Sequence, residues 1–164
     1  GPHALGATRM TLLDIISLDS TIVGLKSDNK EDIIGELVGC LQVGTAITDR
    51  EKVLQAVLER EKIMSTGIGD GIAIPHGKMA ELDRLYGMFA RLEQPIDFHA
   101  IDERPVDLIF VLLAPENAGA DHLKALARIS RLLRNNGICD KLRGTDSAEA
   151  LFAILTESQE DRAA

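Results

Sequence analysis

Apolar residues recur along this chain in two rhythms. Ile33, Ile34, Leu37, Val38 and Leu41 repeat at helical spacing, and the pattern predicts a helix capped by Asp28, with Glu31 three residues on, and closed by Gly44. Val53, Leu54, Val57 and Leu58 give a second helix that Thr48 and Glu51 open as a capping box and that ends with Arg60 and Lys62 in its last turn. Leu123, Leu126, Ile129, Leu132 and Leu133 predict a third, capped by Asp121 and stopped at Gly137. A short helix over 139–143 ends at Gly144, and a last one opens at Asp146 and Glu149 with Leu151, Ile154 and Leu155 inward.

The other rhythm is that of strands. Residues 20–25 carry Thr, Ile and Val. Residues 85–92 alternate poorly, as a strand buried on both faces does, and Gln94-Pro95 then reads as a turn. Residues 96–103 read as an irregular loop or short edge strand. Residues 106–114, between Pro105 and Pro115, are the most apolar run and the candidate central strand. Thr11 and Asp14 predict a short capped turn at the start. Strands interleaved with helices make the fold class α/β, a sheet flanked by helices on both faces. The paired helices before residue 65 leave room for a sheet that is not wholly parallel.

Length and composition narrow this picture. A chain of 164 residues fits one compact domain, burying roughly 70% of its unfolded surface. Aromatics make up 3%, so Leu, Ile, Val and Ala build the core and a base-stacking nucleic-acid surface is unsupported. A net charge of -8 would repel a phosphate backbone. Cys40 and Cys139 have no metal or redox spacing and read as buried thiols in a reducing, cytoplasmic setting. No apolar run reaches the ~20 residues of a membrane span. Residues 1–9 read as an expression scar before Met10, residues 10–157 as the single domain and 158–164 as a polar tail.

The candidate chemistry lies in residues 65–77, Ser-Thr-Gly-Ile-Gly-Asp-Gly-Ile-Ala-Ile-Pro-His-Gly. Neither nucleotide-binding glycine pattern fits. Gly71 and Gly77 enclose five residues, Lys78 precedes Met79, and the glycines lead into a strand rather than out of one. Residues 72–74 read instead as a short strand that Pro75 ends, delivering His76 at its tip. A lone histidine near a strand end is more often structural, but Pro and Gly are unusual company for a core position. A neutral imidazole is a good nucleophile near pH 7, and attack on phosphorus gives a labile phosphohistidine. The transferred group then needs cations and N–H donors. Gly77 is adjacent, Arg60 enters from the preceding helix, and His122 follows a helix cap. Arg60 is equally a solvated helix end, and His122 a surface residue of a first turn. His99 reads as an exposed bystander, and no third histidine or carboxylate set stands at zinc spacing.

Residues 58–61, Leu-Glu-Arg-Glu, followed by the run 65–78, resemble the enzyme IIA domain of the bacterial phosphotransferase system, fructose/mannitol type, closest to its nitrogen-regulatory branch. Residues 92–98, 105–108 and His122-Leu123 look like the same family. The resemblance implies a mixed sheet of about five strands and a phosphoryl acceptor at Nε2 of His76. It makes His122 a second active-site histidine and Arg60 a phosphate contact, and puts Thr66 in the matching loop as a further hydroxyl contact, beside the phosphate-binding N–H already read at Gly77. It implies no cofactor or metal. The donor would be an HPr-like phosphocarrier, NPr in the nitrogen branch. The downstream partners would be regulatory targets such as potassium-transport or sensor proteins, or an enzyme IIB if the chain serves sugar transport. A pure interaction module whose histidine is never phosphorylated is the remaining alternative.

Overall fold

The computed structural model describes residues 10–41 and 49–163, with side chains to residue 157. Two single 3-10 turns, Leu12–Asp14 and Leu18–Ser20, come first. Then follow β1 (Thr21–Leu25), α1 (Lys30–Val38), α2 (Arg50–Ile63), β2 (Gly67–Gly69), β3 (Ile72–Ala73), β4 (His76–Met79), β5 (Tyr86–Ile96), β6 (Val106–Pro115), α3 (Ala120–Leu133), α4 (Asn136–Arg143) and α5 (Ala148–Ala163).

The strands form one mixed sheet in the order β1-β5-β6-β3-β2, with β4 also on β6. β5 and β6 are antiparallel, while β1 runs parallel to β5 and β3 and β4 run parallel to β6. β3 pairs with Leu108 and Ile109, and β4 with Leu112 to Pro115, so the two are successive pieces of one interrupted lane along β6. The interruption is Pro75, which lacks an N–H to donate. Its carbonyl still accepts from Leu112 N at 2.9 Å. The sheet therefore has six strands where about five were expected, because one lane is split.

Both faces are covered. On β6, Ile109, Val111 and Leu113 join the core under α1 and α2, while Leu108, Phe110 and Leu112 join the core under α3, α4 and α5. The period of two thus sends alternate side chains into two cores, which explains why β6 reads as an unbroken apolar run. Each fully buried Leu, Ile or Phe here stabilises the fold by roughly 1.5–3 kcal/mol before entropy is counted. Among the described residues no helix is long and apolar enough to cross a membrane.

Several boundaries differ from the sequence expectations. α1 is capped by Asn29, whose side chain accepts from Asp32 N at 2.9 Å, rather than by Asp28, and it closes at Gly39. Gly44 and Thr48 lie outside the described residues, as do residues 1–9. Asp49 caps α2 by accepting from Lys52 N. β5 runs through Gln94 and Pro95 to Ile96 instead of turning, because its register with β6 slips between Arg91 and Ile96 and asks no donor of the proline. Gly119, at φ 55, precedes α3, so Asp121 sits inside the first turn and is not its cap. α3 ends at Leu133, and Gly137 lies within α4. Ser147 Oγ, accepting from Ala150 N, opens α5. Cys139 is buried, but Cys40 is only partly so, and both are free thiols.

Candidate functional site

His76 opens β4 rather than ending the strand before it. The split lane is what places it: after β3, the N–H of Ile74 leaves the β6 ladder and donates to Thr66 O at 3.0 Å. The carbonyl of the same Ile74 then lies 2.8 Å from Nδ1 of His76. A carbonyl only accepts, so Nδ1 carries the hydrogen and Nε2 keeps a free lone pair. The ring is half-buried at the surface.

His76 pairs with Leu112, whose side chain belongs to the α3–α5 face. His122, on the first turn of α3, is buried there at 5% exposure, with ring centroids 5.7 Å apart and planes inclined by 50°. Nδ1 of His122 is buried without a hydrogen-bond partner. Gly77, one residue along β4, faces the opposite side, where a Cβ would stand 3.3 Å from Cγ2 of Val57 and 3.4 Å from its backbone nitrogen. The missing side chain lets α2 seat closely on β4.

Burial, more than the neighbouring charges, favours the neutral form of both rings. Burial pushes His76 below its ordinary 6.5; the Ile74 hydrogen bond opposes this, Arg60 and Lys78 add to it, and Glu61 opposes it again. His122 is pushed down to about 4, first by burial, then by His76 and by Lys78. The arrangement is a neutral, oriented imidazole beside a second neutral imidazole, with the cations of Arg60 and Lys78 near enough to act on it. Such a group can attack an electrophile, and the cations favour a dianionic one.

Residues 14–158 match the family model described as Phosphoenolpyruvate-dependent sugar phosphotransferase system, EIIA 2. The chain belongs to this family. A nitrogen regulatory protein of Bradyrhizobium diazoefficiens is 46% identical over 146 residues, 89% of this chain and 95% of that protein. The fructose-specific EIIABC component of Bacillus subtilis is 34% identical over 148 residues, 90% of this chain and 23% of that protein. The crystal structure of nitrogen regulatory protein IIA-Ntr from Neisseria meningitidis superposes with a TM-score of 0.82 at 35% identity, covering 87% of this chain and 97% of that one. The resemblance to the nitrogen-regulatory branch of the enzyme IIA family is thereby borne out.

Of the residues read from the sequence of this enzyme IIA, His76 and His122 meet across the end of the sheet. Arg60, half-exposed on α2, donates from Nη1 to Met64 O at 2.9 Å and acts on His76 through its charge. Thr66 is the exception. It is buried, and its hydroxyl donates to Glu61 Oε1 at 2.6 Å, so that hydrogen is committed inward and not to an incoming phosphoryl group. His99 stands exposed at φ 55 in its loop, as a bystander would. Among the described residues no three His, Cys, Asp or Glu side chains gather as a metal site requires.

Two residues escaped the sequence reading. Lys78 follows His76 by two, and period-two alternation puts it on the same face of β4. Glu61 continues the series Val53, Val57 at four-residue steps, which points it into the core, and it is buried at 4% exposure. Both signals were present in the spacing.

Proposed function

We propose that this enzyme IIA is a phosphoryl carrier that accepts PO3 at Nε2 of His76 from an HPr-like phosphocarrier, NPr in a nitrogen branch. In this reading it acts mainly as a regulator through its phosphorylation state. The observation that carries the reading is the Nδ1–Ile74 hydrogen bond, which leaves Nε2 as the free nucleophile. The Nε2 lone pair forms the new N–P bond while the donor's N–P bond breaks and its electron pair returns to the donor imidazole. Positive charge developing on the ring is met by the Ile74 carbonyl at Nδ1. The phosphoryl oxygens are met by Arg60 and Lys78, with His122 as hydrogen-bond partner. Gly77 serves the site by letting α2, which carries Arg60, seat closely on β4. Leu123 beside His122, and Ile63 and Met64 at the end of α2, are large apolar side chains left in solvent, suited to a docking carrier.

Incubation with phosphoenolpyruvate, enzyme I and an HPr-type carrier should add one acid-labile phosphoryl mass, and His76→Ala should add none. A labelled His76→Ala protein, or an unlabelled wild type beside a fully phosphorylated carrier, refutes the assignment. A second reading, a sugar-transport enzyme IIA that passes the group to an enzyme IIB, draws on the 34% identity to the fructose-specific component. The higher identity to a nitrogen regulatory protein favours regulation; potassium-transport or sensor proteins are the targets we propose. Rapid transfer of label to an enzyme IIB would decide for the second.

A further inference from the structure

Among the described residues Glu61 is the one carboxylate that is fully buried, and its place is costly twice over. It lies in the last turn of α2, where the helix dipole disfavours an anion. Burial of a charge costs several kcal/mol unless it is paired and hydrogen-bonded. The chain pairs it thoroughly. Lys30, from α1, stands 3.2 Å from Oε2, and Thr66 donates its N–H to Oε2 at 3.0 Å and its hydroxyl to Oε1 at 2.6 Å. Lys30 is itself held 5.3 Å from the centroid of the Phe98 ring, whose backbone carbonyl accepts from Ser65 Oγ at 2.7 Å.

The network leads somewhere. From Glu61 it passes to Thr66, from the Thr66 carbonyl to the Ile74 N–H at 3.0 Å, and from the Ile74 carbonyl to Nδ1 of His76 at 2.8 Å. We infer that Glu61, anchored by Lys30, is a positioning residue for His76: it fixes Thr66, Thr66 fixes the Ile74 peptide, and that peptide selects the tautomer with Nε2 free. This inference rests on the reading of His76 as the acceptor. It concerns a residue that touches neither the ring nor the transferred group. Local sequence rules disfavour an acid there, as happens where a site has a use for the violation.

The test separates the two readings by using the unphosphorylated protein. In the full-length chain with 15N-labelled histidine, at alkaline pH where the ring is neutral, wild-type His76 should show a pyrrole-type Nδ1 and a pyridine-type Nε2. Glu61→Gln, which removes the charge and turns an amide donor toward Lys30 or Thr66, should populate the Nε2–H tautomer. It should also slow phosphoryl acceptance by on the order of tenfold to a hundredfold, as misplaced nucleophiles do. Thr66→Val removes only the hydroxyl bond and should give the same shift at smaller amplitude, which covers the case of a Glu61 variant that does not fold. Arg143→Ala, remote from this network, is the control for general loosening and should leave the tautomer as in wild type. Unchanged ring nitrogens in both folded variants would overturn the positioning role while leaving His76 as acceptor. A wild type that takes up no phosphoryl group would overturn the acceptor reading whatever the ring spectra show.

Discussion

The hairpin of β2 and β3 is gripped at both ends by ion pairs, and the two grips differ. At the turn, Arg143 of α4 binds both carboxylate oxygens of Asp107 at 2.9 Å and donates to the Asp70 carbonyl at 2.8 Å. Gly71 there has φ +84, and a Cβ would collide with Nη2 of Arg143 at 2.5 Å. At the strand entrance, Lys30 and Glu61 hold Thr66. The turn pair is partly wet, its side chains 34% and 20% exposed, whereas the entrance pair is nearly dry at 15% and 3%. The same chemistry serves different ends because of what each gripped peptide leads to. Beyond Asp70 lies only a turn. Beyond Thr66 lie the Ile74 peptide and then the imidazole. An ion pair's importance to function is thus read from the connectivity of its backbone partner rather than from its geometry.

The strongest separation of the two ends comes from Arg60→Ala. If His76 carries the phosphoryl group as proposed, loss of this cation should cost ~2–4 kcal/mol of transition-state stabilisation, seen as slower phosphoryl transfer in quench-flow kinetics. The melting temperature should hardly move, since the lost partner is a helix-end carbonyl. An unchanged rate would make Arg60 a bystander and leave Lys78 as the cation of the site.

Acid should weaken the site end next. His122 binds its proton near 6.5 when unfolded but only near 4 when folded. Between those values the unfolded state holds more protons, so stability is full above about pH 6.5 and declines as pH falls toward about 4. The loss from this ring alone amounts to about 3 kcal/mol, and His76 contributes in the same direction. Urea unfolding at neutral and mildly acid pH should show the decline, and His122→Gln should flatten it. An equal slope in the variant would mean that other groups carry the acid response.

The smallest effect belongs to the turn. Arg143→Ala should lower stability by ~1–2 kcal/mol through its lost charged hydrogen bonds, read by urea unfolding, and leave transfer kinetics within about twofold of wild type. A large kinetic defect would show that the two grips are mechanically one, and the comparison would fail.

The fold class and the candidate nucleophile were legible because both rest on local signals. Alternation and helical spacing are written in the order of residues, and so are Pro75 and Gly77 around His76. His122 was legible as a helix-start histidine, but its burial was not, since that depends on α3 lying across the face that Leu112 and His76 share. Thr66 was named as a phosphate contact from its position in the loop, which is local information, while the direction of its hydroxyl is set by a carboxylate on α2. The caps of α1 and α5 shifted by one residue, since neighbouring polar side chains compete for the same free N–H groups, while α3 starts after Gly119, whose positive φ and not a polar side chain sets the start. β2 and β4 went unread because three or four residues among glycines carry too little periodicity to detect.

Taken alone, the residue order determined which segments bury which faces, that position 76 carries an exposed-end imidazole in a glycine-rich setting, and that acidic, aromatic-poor surfaces offer little to nucleic acid. Only the tertiary structure decided which nitrogen of that imidazole is free and that Glu61 stands behind it. The reason is physical. Burial and periodicity are properties of a segment, whereas a tautomer and a buried charge are settled by hydrogen bonds between segments that folding brings together.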